Sequence, residues 1–246
     1  FVGDELLPSL YAQADAEIFA QYLGNKATQQ RHVTLGDIPR YCLDAVLAIE
    51  DPNFLEHQGI SIRGLFRALI ANIKGGGYKQ GGSTITQQLV KNYFLTAEKK
   101  LSRKIKEIII SLIFEFRVSK DDILETYLNI IYLGQNGVFE VRGYGSASNY
   151  YFQKNIEQLN LPECALLAAI FNNPGRYNPV RNPEKAQQRR TRVLTKMIET
   201  ERITQEEFDE ANKAELPKKL QTNLVESAPY YVDAVKKKLD DLGFKD

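Results

Sequence analysis

Three short stretches of the chain hold side chains able to do chemistry. In IEDPNFLEHQGI, residues 49–60, Glu50 and Asp51 stand together at the end of the apolar run AVLAI, with His57 just beyond. The C-terminal end of a helix favours cations, so an unpaired acidic pair there costs up to about 1 kcal/mol. That conflict marks the two carboxylates for another use, with ordinary surface acids at a helix end as the alternative. His57 alone reads as a hydrogen-bonded structural histidine. In the helix-forming stretch 98–118, Arg103, Lys104 and Glu107 share the face opposite Leu101, Ile105, Ile109 and Leu112. Ile110 and Phe114 lie one turn further along that same face, so Glu107 sits between apolar neighbours that desolvate it and cations that hold it ionised. Such a group suits acid–base or charge-positioning work, set against a plain i, i+4 Arg103–Glu107 surface pair.

The third stretch, KGGGYKQGGSTITQQ (74–88), is one residue away from a phosphate-binding P-loop, with Gly82 where lysine belongs. A P-loop follows a strand, whereas this one follows a helical pattern, and the nucleotide reading fails on that context. A flexible connector is the plain alternative. If a helix begins near Thr84, its free backbone N–H groups and positive dipole end face whatever the loop encloses. Ser83, Gln87, Gln88 and Lys91 add neutral donors and one charge, a set that resembles an anion or sugar–phosphate site.

The elements that must position these groups are mainly helical. After Ser61, Ile62, Leu65, Phe66, Leu69, Ile70 and Ile73 fall at i, i+3, i+4, i+7 spacing and predict an amphipathic helix over 61–74. Further helices are expected at 84–94, 98–118, 119–134, 161–172, 182–200 and 203–212, the last opened by Thr204 and Glu207 in capping-box spacing. Strand signals are weak, RHVTL (31–35) being the best, and loops are expected around 75–82 and 134–146. A net charge of +1 argues against a nucleic-acid partner, which calls for a strongly basic domain. No run approaches the roughly 18 apolar residues of a membrane span. Cys42 and Cys164 share no metal-ligand spacing and read as small buried core residues; a disulfide would need their Cα atoms within about 7 Å. The chain opens on Phe1 without a signal peptide and is expected to be part of a longer protein.

Together the stretches resemble the peptidoglycan glycosyltransferase domain, glycosyltransferase family 51, of class A bifunctional penicillin-binding proteins. The likeness runs through E-D-x-x-F-x-x-H-x-G (Glu50, Asp51, Phe54, His57, Gly59), G-G-S-T-I-T-Q-Q (Gly81 to Gln88) and R-K-x-x-E (Arg103, Lys104, Glu107). It continues through ILETYLNIIYLG (123–134) and ALLAAIFNNPGRYNPVRNPEKAQQRR (165–190), in the family's order over about residues 35–200. Each motif is weak alone; their succession is specific. Asn53 departs from the pattern, where many relatives carry a basic residue. No S-x-x-K, S-D-N or K-T-G signature of a transpeptidase occurs in this chain.

The resemblance implies a mainly α, lysozyme-like, two-lobed domain with a small membrane-facing lobe between the first and third motifs. Gly75–Gly77 would be a hinge beside it, and Gly81–Gln88 a wall of the donor site. It implies polymerisation of lipid II into β-1,4-linked glycan, with inversion at the donor MurNAc and loss of undecaprenyl pyrophosphate. Glu50 would be the general base and Glu107 the second catalytic carboxylate. Asp51, Ser83, Thr84, Gln87, Gln88, Lys91, Arg103 and Lys104 would bind substrate, and Asp51 a loosely held divalent cation, Mg or Mn. The implied partners are lipid II, the growing strand, the cytoplasmic membrane, moenomycin-type inhibitors and a transpeptidase domain in the full-length chain. Residues 1–34 would follow an N-terminal membrane anchor, 35–215 would form the catalytic unit on the outer face of the cytoplasmic membrane, and 216–246 would begin a linker. A glycan hydrolase or lytic transglycosylase, and a non-catalytic wall-binding module, are the rival readings.

Overall fold

The computed structural model describes residues 21–23, 26–62, 64, 82–94, 101–137 and 139–221. In chain order these form β1 (Gln21–Leu23), β2 (Lys26–Gln30), α1 (Arg40–Glu50), α2 (Ile85–Phe94), α3 (Leu101–Arg117) and α4 (Lys120–Ile130). They continue with β3 (Tyr132–Asn136), β4 (Phe139–Arg142), α5 (Gly143–Phe152), α6 (Leu161–Phe171), α7 (Pro183–Glu199) and α8 (Gln205–Lys213). The mainly α expectation holds among the described residues. The expected hinge at Gly75–Gly77 lies outside them, as does the helix expected over 61–74 except for residues 61, 62 and 64.

The centre of the core is α6, apolar on every side, with Cys164 through Ile170 buried. A helix of that kind must be covered all round; α1, α7, α5 and β3 pack on it. Its start is closed by a capping box in which Asn160 and Glu163 satisfy each other's backbone N–H. The same device opens α8 through Thr204 and Glu207, as their spacing predicts.

Cys42 on α1 and Cys164 on α6 are fully buried, as expected of core residues, but they are bonded to each other, with Cα atoms 4.4 Å apart. Ala45, Ala48, Ala165 and Ala168 are buried on the same two helices, and such small side chains let the backbones approach closely enough for the bond. The bridge closes a 122-residue separation and ties the helix that ends at Glu50 to the core. Replacing both cysteines with alanine should lower unfolding stability by roughly 2–5 kcal/mol. Denaturant titration with and without reductant checks this: reductant should destabilise the parent and leave the double variant unchanged.

Strand content is where the sequence reading needs correction. A four-stranded sheet runs in the order β1-β2-β4-β3, with β2 and β4 parallel and the outer pairs antiparallel. The helix expected over 119–134 stops at Ile130, because Ile131 turns extended and leads into β3, which carries Gly134 mid-strand. The loop expected over 134–146 is the β3–β4 hairpin and the start of α5. RHVTL follows β2 rather than forming a strand. Its backbone is held by side chains instead: the Val33 N–H donates to Asn129 Oδ1 (2.9 Å), Asn129 Nδ2 donates to the Val33 carbonyl (2.8 Å), and the Arg31 N–H donates to Ser146 Oγ (2.7 Å).

Candidate active site

Glu50 closes α1, whose Ala45–Ala48 segment is buried and whose last turn carries no basic residue. The acidic pair is therefore not there to serve the helix. Asp51, 4% exposed, turns its Oδ2 to the first N–H of α2, accepting from Ile85 at 3.1 Å and from His57 Nε2 at 2.9 Å. It is the anion at that helix N-terminus, where the dipole stabilises negative charge. His57 is hydrogen-bonded, as expected, and its ring stands edge-on to Phe54. Gly59 has φ +81°, and a Cβ there would lie 2.7 Å from the Ser111 carbonyl, so the loop carrying His57 meets α3 at a point that only glycine fits.

Glu50 is half-buried, and its Oε2 accepts a hydrogen bond from Gln88 Nε2 at 3.1 Å. Burial pushes its carboxyl above the usual glutamate range; the Gln88 hydrogen bond and the Arg189 charge oppose that, and Asp51 adds to it. Gln88 is held in turn by the Tyr127 hydroxyl, which donates to its Oε1 at 3.1 Å.

Thr84 and Gln87, expected to bind substrate, face inward. The Thr84 N–H donates to Gln87 Oε1 (3.1 Å), the Gln87 N–H donates to Thr84 Oγ1 (3.2 Å), and Thr84 Oγ1 donates to the Gly59 carbonyl (2.7 Å). Both are 1% exposed. The anion expected at this helix start is thus largely supplied from within, by Asp51 and this cap. Ser83, one residue earlier, stays half-buried and accepts from Lys104 Nζ at 3.0 Å.

The helix α3 lies the other way round from the ordinary amphipathic expectation. Its charged face is the inner one: Glu107 is 2% exposed, accepts from Arg103 Nη1 at 2.8 Å and is paired with Lys104 Nζ. This is no surface pair. The apolar stripe Ile105, Ile109, Leu112, Ile113 and Phe116 is instead 44% to 89% exposed. Further along, Glu115 binds Lys120 (2.6 Å) and Thr86, while Lys120 lies 4.3 Å from the Phe54 ring centroid. Lys91, in the last turn of α2, is exposed.

Three residues that matter here were not singled out in the sequence. Tyr127 and Tyr144 are fully buried, and burial together with the Glu50 charge raises both hydroxyls well above the usual tyrosine range. The Tyr144 hydroxyl has no hydrogen-bond partner among the described residues. The Arg189 guanidinium lies 5.8 Å from the Tyr177 ring centroid, opposite in charge to Glu50. Tyr127 and Arg189 do fall inside the fourth and fifth matching stretches, the signal that could have found them. The described residues contain no group of three or more His, Cys, Asp or Glu able to hold a metal ion.

The arrangement therefore offers a proton acceptor of raised affinity at the end of α1 and a separate cluster of cations on α3. Ser83, two residues before α2, meets the cluster through Lys104, and Gln88, in the first turn of α2, meets Glu50.

Residues 15–198 match the family model described as Transglycosylase. The chain is 47% identical over 174 residues to penicillin-binding protein 1B of Haemophilus influenzae, a span covering 71% of this chain and 22% of that protein. It is 38% identical over 235 residues to penicillin-binding protein 1A of Neisseria flavescens, covering 95% and 28%. With penicillin-binding protein 1B of Vibrio cholerae it shares 36% over 235 residues, covering 94% and 30%. Among solved structures, penicillin-binding protein 1A from Haemophilus influenzae aligns with a TM-score of 0.48 at 21% identity, covering 89% of this chain and 22% of that one. The chain thus spans less than a third of the length of these relatives.

Proposed function

The chain belongs to the transglycosylase family of peptidoglycan glycosyltransferases, and from that premise we propose that it polymerises lipid II with Glu50 as general base. The observation that carries this reading is the half-buried Glu50 carboxylate with raised proton affinity, held by Gln88 and set apart from the Arg103–Lys104–Glu107 cluster. Glu50 takes the proton of the acceptor's GlcNAc 4-hydroxyl as that oxygen attacks the anomeric carbon of the donor MurNAc. The new C1–O4 bond forms with inversion while the bond from C1 to the diphosphate oxygen breaks. Undecaprenyl pyrophosphate leaves with the electron pair. A diphosphate needs neutralised charge more than a proton, and Arg103, Lys104 and the exposed Lys91 supply it. Glu107 orients the first two.

A divalent cation fits this scheme as a companion of the substrate's diphosphate. Asp51 Oδ2 is already shared between His57 and the Ile85 N–H, and among the described residues no group of three or more His, Cys, Asp or Glu completes a cage. Incubation with lipid II and, separately, with purified glycan strands tests the reaction. Polymer from lipid II is expected; soluble muropeptides from strands, without polymer, would assign a hydrolase instead. Moenomycin-type phosphoglycolipids should compete at the donor side.

The exposed stripe of α3 supports a place against the outer leaflet of the cytoplasmic membrane, where the lipid-linked substrate resides. No helix among the described residues is long and apolar enough to cross a membrane. Burying an Ile or Phe side chain is worth about 1.5–3 kcal/mol. Ile113→Glu with Phe116→Glu should therefore weaken vesicle binding by at least about tenfold, measured by co-sedimentation. The catalytic unit sits within residues 35–215, with a transpeptidase domain as its partner in the full-length protein.

A further inference from the structure

We propose that Tyr127 and Gln88 form a positioning pair for Glu50, so that Gln88 serves the base rather than the donor sugar. The inference rests on the reading of Glu50 as general base. It follows from which end of the Gln88 amide each neighbour binds. The Tyr127 hydroxyl donates to Oε1 at 3.1 Å, and this leaves Nε2 pointing at Glu50 Oε2, also at 3.1 Å. A side-chain amide can turn over, exchanging its donor and acceptor ends. Turned over here, it would set Oε1 against a carboxylate oxygen, lone pair against lone pair.

The carboxylate therefore selects the donor end, and Tyr127 anchors the other. That tyrosine is 0% exposed, its ring packs edge-on to Phe171 at 5.6 Å, and its hydroxyl cannot exchange Gln88 for solvent. The result is a chain of two hydrogen bonds from α4 through α2 to the last residue of α1. One carboxylate oxygen of Glu50 is engaged and the other is left to take the acceptor's proton. Asp51 and Arg189 act on Glu50 with opposite charges, and Tyr144 brings a hydroxyl without a partner among the described residues. Among the described residues, Gln88 is the side chain that donates a hydrogen bond to Glu50. The neighbouring Gln87 is already spent on the cap of α2.

A charge-assisted hydrogen bond that orients a base is worth about tenfold to a hundredfold in rate. The test compares Tyr127→Phe, Gln88→Met and their combination in the 246-residue chain, with lipid II polymerisation as the readout and Glu50→Gln alongside. Each single variant should lower kcat by about tenfold to a hundredfold with KM within about twofold of the parent. Tyr127→Phe should add less than about twofold once Gln88 is Met, because a positioning residue acts only through its partner. Effects that multiply, an unchanged kcat, or a loss confined to KM would each overturn the proposal, the last returning Gln88 to the donor sugar. If Tyr127→Phe fails to fold, the half-buried Gln88→Met alone decides between kcat and KM. Retained turnover in Glu50→Gln would sink the general-base reading itself. An inactive Glu50→Gln beside an unimpaired Tyr127→Phe would sink only the positioning pair.

Discussion

Glu50→Gln should reduce polymerisation by about a thousandfold or more, near the upper range for loss of a general base, while lipid II still binds. Glutamine keeps the size of the side chain and its place opposite Gln88, but it has no lone pair basic enough to take the hydroxyl proton. The pH profile carries the same information. Burial raises the proton affinity of Glu50 above the usual glutamate range, so the parent's rate should fall as pH drops through that raised pKa. Residual turnover of the variant should lack that limb.

Stability should move the opposite way. Between the ordinary glutamate pKa and the raised folded value, the native state holds more protons than the unfolded chain, so stability falls as pH rises through that window. At neutral pH the ionised Glu50 is therefore a burden on the fold, and Glu50→Gln should unfold at the same temperature as the parent or higher. A variant that loses activity and gains stability separates chemistry from structure. A variant that loses both would show Glu50 to be a structural residue, and one with near-normal turnover would end the general-base role.

This trade was partly legible in the sequence. An acidic pair at a helix C-terminus contradicts the dipole, and local contradictions of that kind collect at functional sites. Helix periodicity placed α2, α3, α6, α7 and α8 to within a few residues, and the capping-box spacing of Thr204 and Glu207 marked α8. The short strands were not legible: β3 reads YLGQN, with no alternation and a glycine mid-strand, and β4 reads FEVR, whose alternation spans only four residues. Periodicity also says which face of α3 is apolar but not which face is buried. Here Glu107 points inward and Phe116 outward, a reversal with a physical sense if the outer solvent is lipid. The Tyr127–Gln88 link joins residues 39 apart and the disulfide residues 122 apart. Such contacts belong to the packing of four helices, α2 with α4 and α1 with α6, which no single stretch encodes. The same holds for Gln87 and Gln88: adjacent and alike in sequence, they diverge because a helix turns by about 100° per residue, one toward the cap and one toward Glu50.

The cation cluster on α3 yields the second large effect, in two variants that should differ in sign. Lys104 binds Glu107 and Ser83, and its side chain is 32% exposed, so it can reach a ligand while Glu107, at 3%, cannot leave. On the proposed mechanism, Lys104→Ala removes a charge that faces the leaving diphosphate in both ground and transition states. Affinity for diphosphate- or phosphate-bearing ligands should fall by about tenfold to a hundredfold, the worth of a charge-assisted contact. Affinity for neutral glycan fragments should be unchanged. Glu107→Gln instead leaves both cations in place and removes the carboxylate that competes for them, so diphosphate ligands should bind as tightly as before or more tightly. Turnover should nevertheless drop, by about a hundredfold if preorganised charge is what stabilises the departing diphosphate, because Arg103 and Lys104 are no longer held in one geometry. Tighter ground-state binding with slower turnover is the pattern expected when binding energy has moved out of the transition state. Isothermal titration with a moenomycin-type phosphoglycolipid, read beside lipid II turnover, distinguishes the two variants. Equal loss of neutral and anionic ligands in Lys104→Ala, or parallel loss of affinity and turnover in Glu107→Gln, would mean that the cluster supports the fold of α3 and not the leaving group.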